Sequence, residues 1–231
     1  VTDRSTDDTD TRPDGAVPSE DGWSGTWPLD RDALAVDPVV LARGLLGRVL
    51  ESRTDDGVVR IRLAEVEAYR GLDDPASHCY RGRTPRNEVM WGPPGHLYVY
   101  FVYGMHFCAN IVGLTDGEPG AVLLRAGEVL TGRELARRRR PTARGGGAVA
   151  KGPAVLTSLL GLDRAHNGTD LTDPDSPVRL LDVPPVPEDA VRVGPRVGVA
   201  AAKDVPWRFW IDGSPAVSTY RRHARRARPR A

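Results

Sequence analysis

Five of the six tyrosines (Tyr69, Tyr80, Tyr98, Tyr100 and Tyr103) fall between residues 69 and 103, a stretch that also holds His78, Arg81, Arg83, Arg86 and Asn87 and directly follows Glu67. Aromatic rings interleaved with guanidinium groups are what stacking on nucleobases while gripping phosphates requires. A carboxylate beside such rings adds a general base. Each side chain alone has a structural explanation, since tyrosine is common in sheet cores and arginine on solvated edges. The clustering is what points to a site.

The elements that must position these groups are legible from periodicity. Val49 to Arg53, a turn at Thr54-Asp55-Asp56-Gly57, and Val58 to Tyr69 predict a hairpin whose second strand alternates. Its period puts Val59, Ile61, Leu63, Glu65, Glu67 and Tyr69 on one face, so Glu67 and Tyr69 share a pocket wall, with Glu65 the competing carboxylate. Tyr98 to Val102 and Phe107 to Val112 predict two more strands around Tyr103-Gly104-Met105-His106, and Ala121 to Arg125 another. Tyr98 and Tyr100 then share a face, whereas Tyr103 reaches a hairpin tip where a core role is weak. Asp37-Pro38 followed by VVLARGLLG predicts a helix opening the fold. Thr131 to Arg140 and Pro153 to Leu160 read as helices, Arg196 to Ala201 and Arg208 to Asp212 as late strands. Strands joined by tight turns imply antiparallel pairing in one α+β domain of about residues 23 to 220.

The flanks differ from this domain. Residues 1 to 22 carry seven acids against two arginines and few apolar groups, which predicts a disordered acidic tail. Residues 219 to 231 hold six arginines and no acid, and 221 to 231 read as an arginine-rich tail. The net charge of +1 therefore hides a basic domain, and only Lys151 and Lys203 of its cations are lysines. Residues 137 to 150, an arginine run then glycines, read as a mobile loop. No apolar run approaches the roughly 18 residues of a membrane span, and the expected location is the cytoplasm. Cys79 and Cys108 form no Cys-x-x-Cys pair and the five histidines no His-x-x-x-His pair, so a metal is not expected.

The runs Ala64-Glu65-Val66-Glu67-Ala68-Tyr69, Asp73-Asp74-Pro75-Ala76-Ser77-His78, Arg83-Thr84-Pro85-Arg86-Asn87, Pro94 to Met105 and Cys108-Ala109-Asn110-Ile111 resemble, in order and spacing, the alkyladenine (3-methyladenine or methylpurine) DNA glycosylases. Ala121 to Ala126, Gly152-Pro153, Arg196-Val197-Gly198-Val199, Arg208-Phe209 and Gly213-Ser214-Pro215 extend the resemblance over about residues 30 to 220. It implies a single mixed domain around a curved antiparallel sheet, with flanking helices and a protruding β-hairpin, acting on duplex DNA without metal, cofactor or obligate protein partner. By the same resemblance Glu67 activates the attacking water, and Arg125 and the main-chain carbonyl of Val197 help hold it. Tyr69, His78 and Tyr100 surround the flipped purine, Asn110 and Leu123 shape the pocket floor, and Tyr103 fills the vacated stack. The segment Cys79-Tyr80-Arg81-Gly82-Arg83 after His78 is where relatives vary, so the resemblance fixes the contacts of residues 79 to 87 least.

The chemistry agrees with that implication. An N-glycosidic bond breaks through an oxocarbenium-like sugar, so a carboxylate that deprotonates water and offsets positive charge is needed, together with stacking for the departing base. Two lysines far in sequence from the aromatic window make an imine-forming lyase a poor fit and simple hydrolysis a good one. Two rivals remain at this level. A non-catalytic nucleic-acid-binding module would use the same rings and arginines but has no need of Glu67. A glycoside hydrolase using Glu65 and Glu67 would need carboxylates facing each other, and two residues apart on a strand they stand side by side.

Overall fold

A computed structural model describes residues 28–220 apart from positions 144 and 146. The two predicted tails, 1–22 and 221–231, lie outside the described residues. Helix α1 (Pro38–Leu45) starts as its sequence requires: Asp37 accepts a hydrogen bond from the Val39 N–H at 2.8 Å, and Pro38 occupies the first turn, where no donor is missed. Strands β1 (Val49–Thr54) and β2 (Gly57–Tyr69) form the expected hairpin, with Thr54 paired to Gly57.

The sheet order is β3 (Leu97–Val102), β4 (His106–Val112), β5 (Ala121–Thr131), β2, β1 and β7 (Val178–Leu181). Three strands branch from this path. β6 (Val149–Lys151) pairs with the second half of β5, β9 (Arg208–Ile211) with the second half of β2, and β8 (Val191–Gly194) with β9. Every one of these pairings is antiparallel, as the tight turns require for β1–β2 and β3–β4. With α1, α2 (Arg133–Arg139) and α3 (Pro153–Leu160), the nine strands make an α+β fold among the described residues. No helix among them is long and apolar enough to cross a membrane.

Alternation sorts the sheet into two faces. Leu97, Val99, Ala109, Ile111, Val122 and Leu124 join the hydrophobic core with Leu41 and Leu45 of α1, Leu135 of α2 and Leu156, Leu159 and Leu160 of α3. Their alternate neighbours Tyr98, Tyr100, Cys108, Asn110, Leu123 and Arg125 point the other way. Strand β2 corrects the simple period expected of it. Its core residues are Val59, Ile61 and Leu63, then Ala64, Val66 and Ala68. The phase slips because β2 is bulged, with Leu63 opposite Gly127, Glu65 opposite Ala126 and Val66 opposite Leu124. Glu65, Glu67 and Tyr69 therefore lie on the face opposite Leu63. Close approach at the bulge fixes residue 127 as glycine, since a Cβ there would meet the Arg62 carbonyl oxygen at 2.5 Å.

Two further expectations are corrected. Residues 196–201 are not a strand: Gly198 has φ 74° and Ala202 φ 46°, and the Val197 N–H is spent on a side chain instead of a ladder. The late strands other than β9 are β7, which pairs with β1 and ends before Asp182, and β8, which pairs with β9 and ends at Gly194 before Pro195. Within 137–150, Arg137, Arg138 and Arg139 form the last turn of α2, where cations suit the helix C-terminus, and Val149 opens β6.

Candidate active site

Register builds the site. Tyr98 is opposite Asn110, Asn110 opposite Leu123, Leu123 opposite Glu67 and Glu67 opposite Arg208, a single row across β3, β4, β5, β2 and β9. Directly opposed residues in antiparallel strands project to the same face. Two residues along in either direction, Tyr100, Cys108, Glu65 and Tyr69 join the row.

Glu67 is fully buried. Its Oε1 accepts the Val197 N–H at 2.7 Å and lies 3.3 Å from Arg125 Nη1, and Oε2 accepts the Tyr69 hydroxyl at 2.9 Å. Oε2, with two lone pairs, keeps acceptor capacity beyond the Tyr69 bond. Burial pushes the Glu67 carboxyl above its ordinary range, opposed by Arg125, the Val197 N–H and the Tyr69 hydroxyl. Tyr69, itself raised by burial and by Glu67, stays a phenol and a donor. Glu65 sits in a different setting. It receives Arg125 Nε at 3.0 Å, Arg208 Nη1 at 3.2 Å, and both the N–H and hydroxyl of Ser218 at 2.7 and 2.8 Å. Two cations and a serine hold it as an anchor for the segment after β9.

Beside Glu67 opens a cavity of about 70 Å³ lined by Tyr69, Ala76, His78, Met90, Tyr98, Tyr100 and Asn110. The His78 ring stands edge-on to Tyr100 at 4.6 Å, and Tyr98 and Tyr100 stack at 5.3 Å. His78 Nδ1 is 3.1 Å from the Tyr98 hydroxyl. Burial, then the Arg86 charge, lowers the His78 pKa, so the ring is neutral at pH 7. Burial pushes Tyr98 up to about 12 and Tyr100 higher still, so both walls are uncharged. Asn110 Nδ2 donates to the Tyr98 carbonyl at 3.2 Å, and Leu123 lies buried between Asn110 and Glu67.

The structure thus gathers Glu67, Arg125, Val197, Tyr69, His78, Tyr100, Asn110 and Leu123. What reaches Glu67 from Val197 is its N–H. Tyr103 stands apart at the β3–β4 tip, 89% exposed with φ 53°, followed by Gly104 at φ 69°. Sequence reasoning passed over Tyr98 as a pocket residue, although its alternation with Tyr100 was the signal. It also passed over Met90 and Ala76, for which no periodic pattern existed. Segment 79–87 is tied down by buried Asn87, whose amide donates to the His78 and Gly82 carbonyls at 2.9 and 3.0 Å. A larger cleft of about 350 Å³, with Arg140, Lys151 and Ser218 in its lining, holds cations and hydroxyls but no carboxylate. It suits an anion and not proton transfer. Among the described residues no three His, Cys, Asp or Glu side chains gather where they could hold a metal.

An aromatic-walled pocket thus shares Tyr69 with one under-compensated buried carboxylate, and the strand that supplies Tyr98 and Tyr100 runs on to the exposed tip at Tyr103. Comparison with known proteins carries this further. The model of the methylpurine-DNA glycosylase family matches residues 32–215, and the chain belongs to that family, whose members are DNA glycosylases. A relative from Streptomyces avermitilis, named "Putative 3-methyladenine DNA glycosylase", is 55% identical over 203 residues, covering 87% of this chain and 95% of its own. Relatives of the same printed name from Nocardia farcinica and Mycobacterium tuberculosis are 52% identical over 199 residues and 47% over 204. They cover 84% and 85% of this chain and 92% and 96% of theirs.

Proposed function

We propose that the protein excises alkylated and deaminated purines from duplex DNA, the class of 3-methyladenine, 7-methylguanine, hypoxanthine and etheno-adenine, and leaves an abasic site. The observation that carries this reading is the buried Glu67 carboxylate hydrogen-bonded to a tyrosine of the aromatic pocket wall. Glu67 takes a proton from water as the oxygen attacks C1′, and the C1′–N9 bond breaks with its electron pair leaving on the base. Arg125 orients the carboxylate, and the Val197 carbonyl helps hold the water. A purine methylated at N3 or N7 carries positive charge, which Tyr69 and Tyr100 attract through their ring faces. Neutral lesions depend more on hydrogen bonds from His78, Tyr98 and Asn110.

Tyr103 fills the gap that the flipped nucleotide leaves. Neither lysine lines the pocket, which supports hydrolysis over imine chemistry. Arg140 and Lys151 suit contacts to the DNA backbone, and the working location is the cytoplasm, on nucleoid DNA. A duplex methylated at purines, one carrying hypoxanthine and an undamaged duplex are incubated with the protein in excess chelator, and free bases are separated by chromatography. Release of 3-methyladenine from the first is the expected result. Release from none of them contradicts the reading.

A further inference from the structure

Next to the site, the chemistry above leaves a fully buried ion pair without a task. Asp74 and Arg196 are both completely inaccessible, and the guanidinium grips the carboxylate with bonds of 2.5 and 2.8 Å. Arg196 Nη1 also donates to the Ala68 carbonyl at 2.9 Å, and the group lies 4.6 Å from the centre of the Tyr69 ring and 5.1 Å from that of Trp207. Its Nε is buried with no hydrogen-bond partner. A buried ion pair adds little net stability, because desolvation offsets the attraction, and an unpaired buried N–H costs more. Placement is what such a pair can supply.

Three contacts show what it places. The residue after Arg196 is Val197, whose N–H meets Glu67 Oε1 at 2.7 Å. The ring against the guanidinium is Tyr69, whose hydroxyl meets Oε2 at 2.9 Å. Asp74 shapes the turn that leads to His78, since its Oδ1 accepts the Ala76 N–H at 3.0 Å and its carbonyl the Ser77 N–H at 2.8 Å. We propose that Asp74 and Arg196 are positioning residues, a clamp that holds two of the donors to the Glu67 carboxylate and the turn bearing the His78 wall in one register. The proposal rests on Glu67 being the general base.

The groups facing Glu67 are Glu65 and Tyr69 on β2, Arg125 on β5, Tyr100 on β3, Cys108 on β4 and Arg208 opposite it on β9, with Val197 from the loop. The clamp governs the Val197 and Tyr69 donors, and both favour the ionised carboxylate. Loosening it leaves Arg125 in place but removes donors, so Glu67 becomes harder to deprotonate.

Arg196→Lys, Asp74→Asn and Glu67→Gln are compared with the parent by release of 3-methyladenine from methylated duplex DNA under enzyme excess, across pH. Arg196→Lys is expected to move the acid limb up by about one pH unit, which slows release about tenfold at pH values on the limb and less above it, the consequence of losing a hydrogen bond to a charge. Asp74→Asn, which keeps the shape, is expected to move the limb the same way by less, and decides the matter alone if Arg196→Lys does not fold. Folded variants whose limb stays at the parent's pH, whatever their melting temperature, overturn the clamp. Glu67→Gln separates the two readings: if it releases base at the parent's rate, the assignment of the base fails, whereas an inactive Glu67→Gln beside unmoved limbs condemns only the clamp.

Discussion

Two ends of one sheet each bury a carboxylate, and they treat it oppositely. Where β1, β2 and β7 meet, Glu51 is 1% exposed and receives Arg53 at 2.7 Å, Arg60 at 2.6 Å and Arg179 at 2.6 and 3.1 Å. Burial pushes its carboxyl up, but Arg179, Arg60 and Arg53 outweigh burial and hold it below the ordinary value of 4.5. Where β2 meets β5 and β9, Glu67 has Arg125 as its one close cation, and that cation is shared with Glu65. Burial wins there and the pKa rises. Desolvation acts at both ends, so the number of committed guanidiniums decides the sign. The over-compensated carboxylate ties three strands together, and the under-compensated one can accept a proton.

Exchanging each carboxylate for an amide breaks the comparison most severely. Glu67→Gln is expected to lower base release by about 10³-fold, the scale of a general base, with a melting temperature close to the parent's because a costly buried charge has gone. Glu51→Gln is expected to keep its excision rate per folded molecule but lose about 3–5 kcal/mol of stability, since it strands buried guanidiniums. Single-turnover rates and denaturant midpoints measured on both variants check this. An inactive but stable Glu51→Gln would reverse the roles assigned to the two ends.

The Glu67 end also carries the projecting hairpin, so loss of an exposed side chain there should resemble a site defect and not a core defect. Tyr103→Ser is expected to cost about 100-fold in excision from fully paired duplex, with stability changed by less than about 1 kcal/mol. The loss should shrink when the lesion sits in a bulge, where less unstacking is required. Tyr103 adopts a left-handed backbone that bulky residues avoid, a conformation better explained by aiming the ring outward than by packing it. Equal loss on bulged and paired substrates would place Tyr103 in the chemistry instead of the flip.

How much of this was legible beforehand follows from the range of the interactions. The hairpins, α1, α3 and the tyrosine strands depend on local period and turn chemistry, so Asp37-Pro38, Thr54 to Gly57 and Tyr103-Gly104 announced them. The bulge at Ala64 was hidden, because it depends on the pairing with β5, where Gly127 permits the close approach, and an unbroken period wrongly put Leu63 with Glu67. The loop at 196–201 looked like a strand because Val197 and Val199 alternate. Its conformation is set by a carboxylate 130 positions away. Glu65 and Glu67 were indistinguishable by pattern, and only their partners Arg208, Ser218, Val197 and Tyr69 separate them.

Acid should sharpen the same contrast in stability. Glu51, with a folded pKa below its unfolded one, contributes stability that is full above 4.5 and lost as pH falls through the lower folded value. Glu67, with a folded pKa above its unfolded one, has the opposite sign: its buried charge weighs against folding at neutral pH, and that cost is relieved as pH falls through the raised value toward 4.5. Glu67→Gln should therefore lose stability relative to the parent on acidification, while the Glu51→Gln deficit shrinks only below 4.5. Melting temperatures from pH 8 to 3 read both slopes. Excision itself should fail on the acid side at a pH above 4.5, where Glu67 takes up its proton.

The smallest expected effect is a gain. Asn110 shares the Glu67 row, and its amide is pinned by the Tyr98 carbonyl, so its remaining polar edge faces the pocket in a fixed orientation. A normal guanine presents an exocyclic amino group that adenine-like lesions lack. A fixed amide that collides with that group, or leaves it unpaired in a dry pocket, rejects guanine by a few kcal/mol without touching the chemistry. Asn110→Ser shortens the side chain and frees the Tyr98 carbonyl, removing the obstruction while Glu67 and its donors stay in place. Slow release of guanine from undamaged duplex should then rise about 10-fold over the parent, with 3-methyladenine release changed by less than about 3-fold. A variant as selective as the parent moves discrimination to the walls, where His78, Tyr98 and Tyr100 would have to supply it.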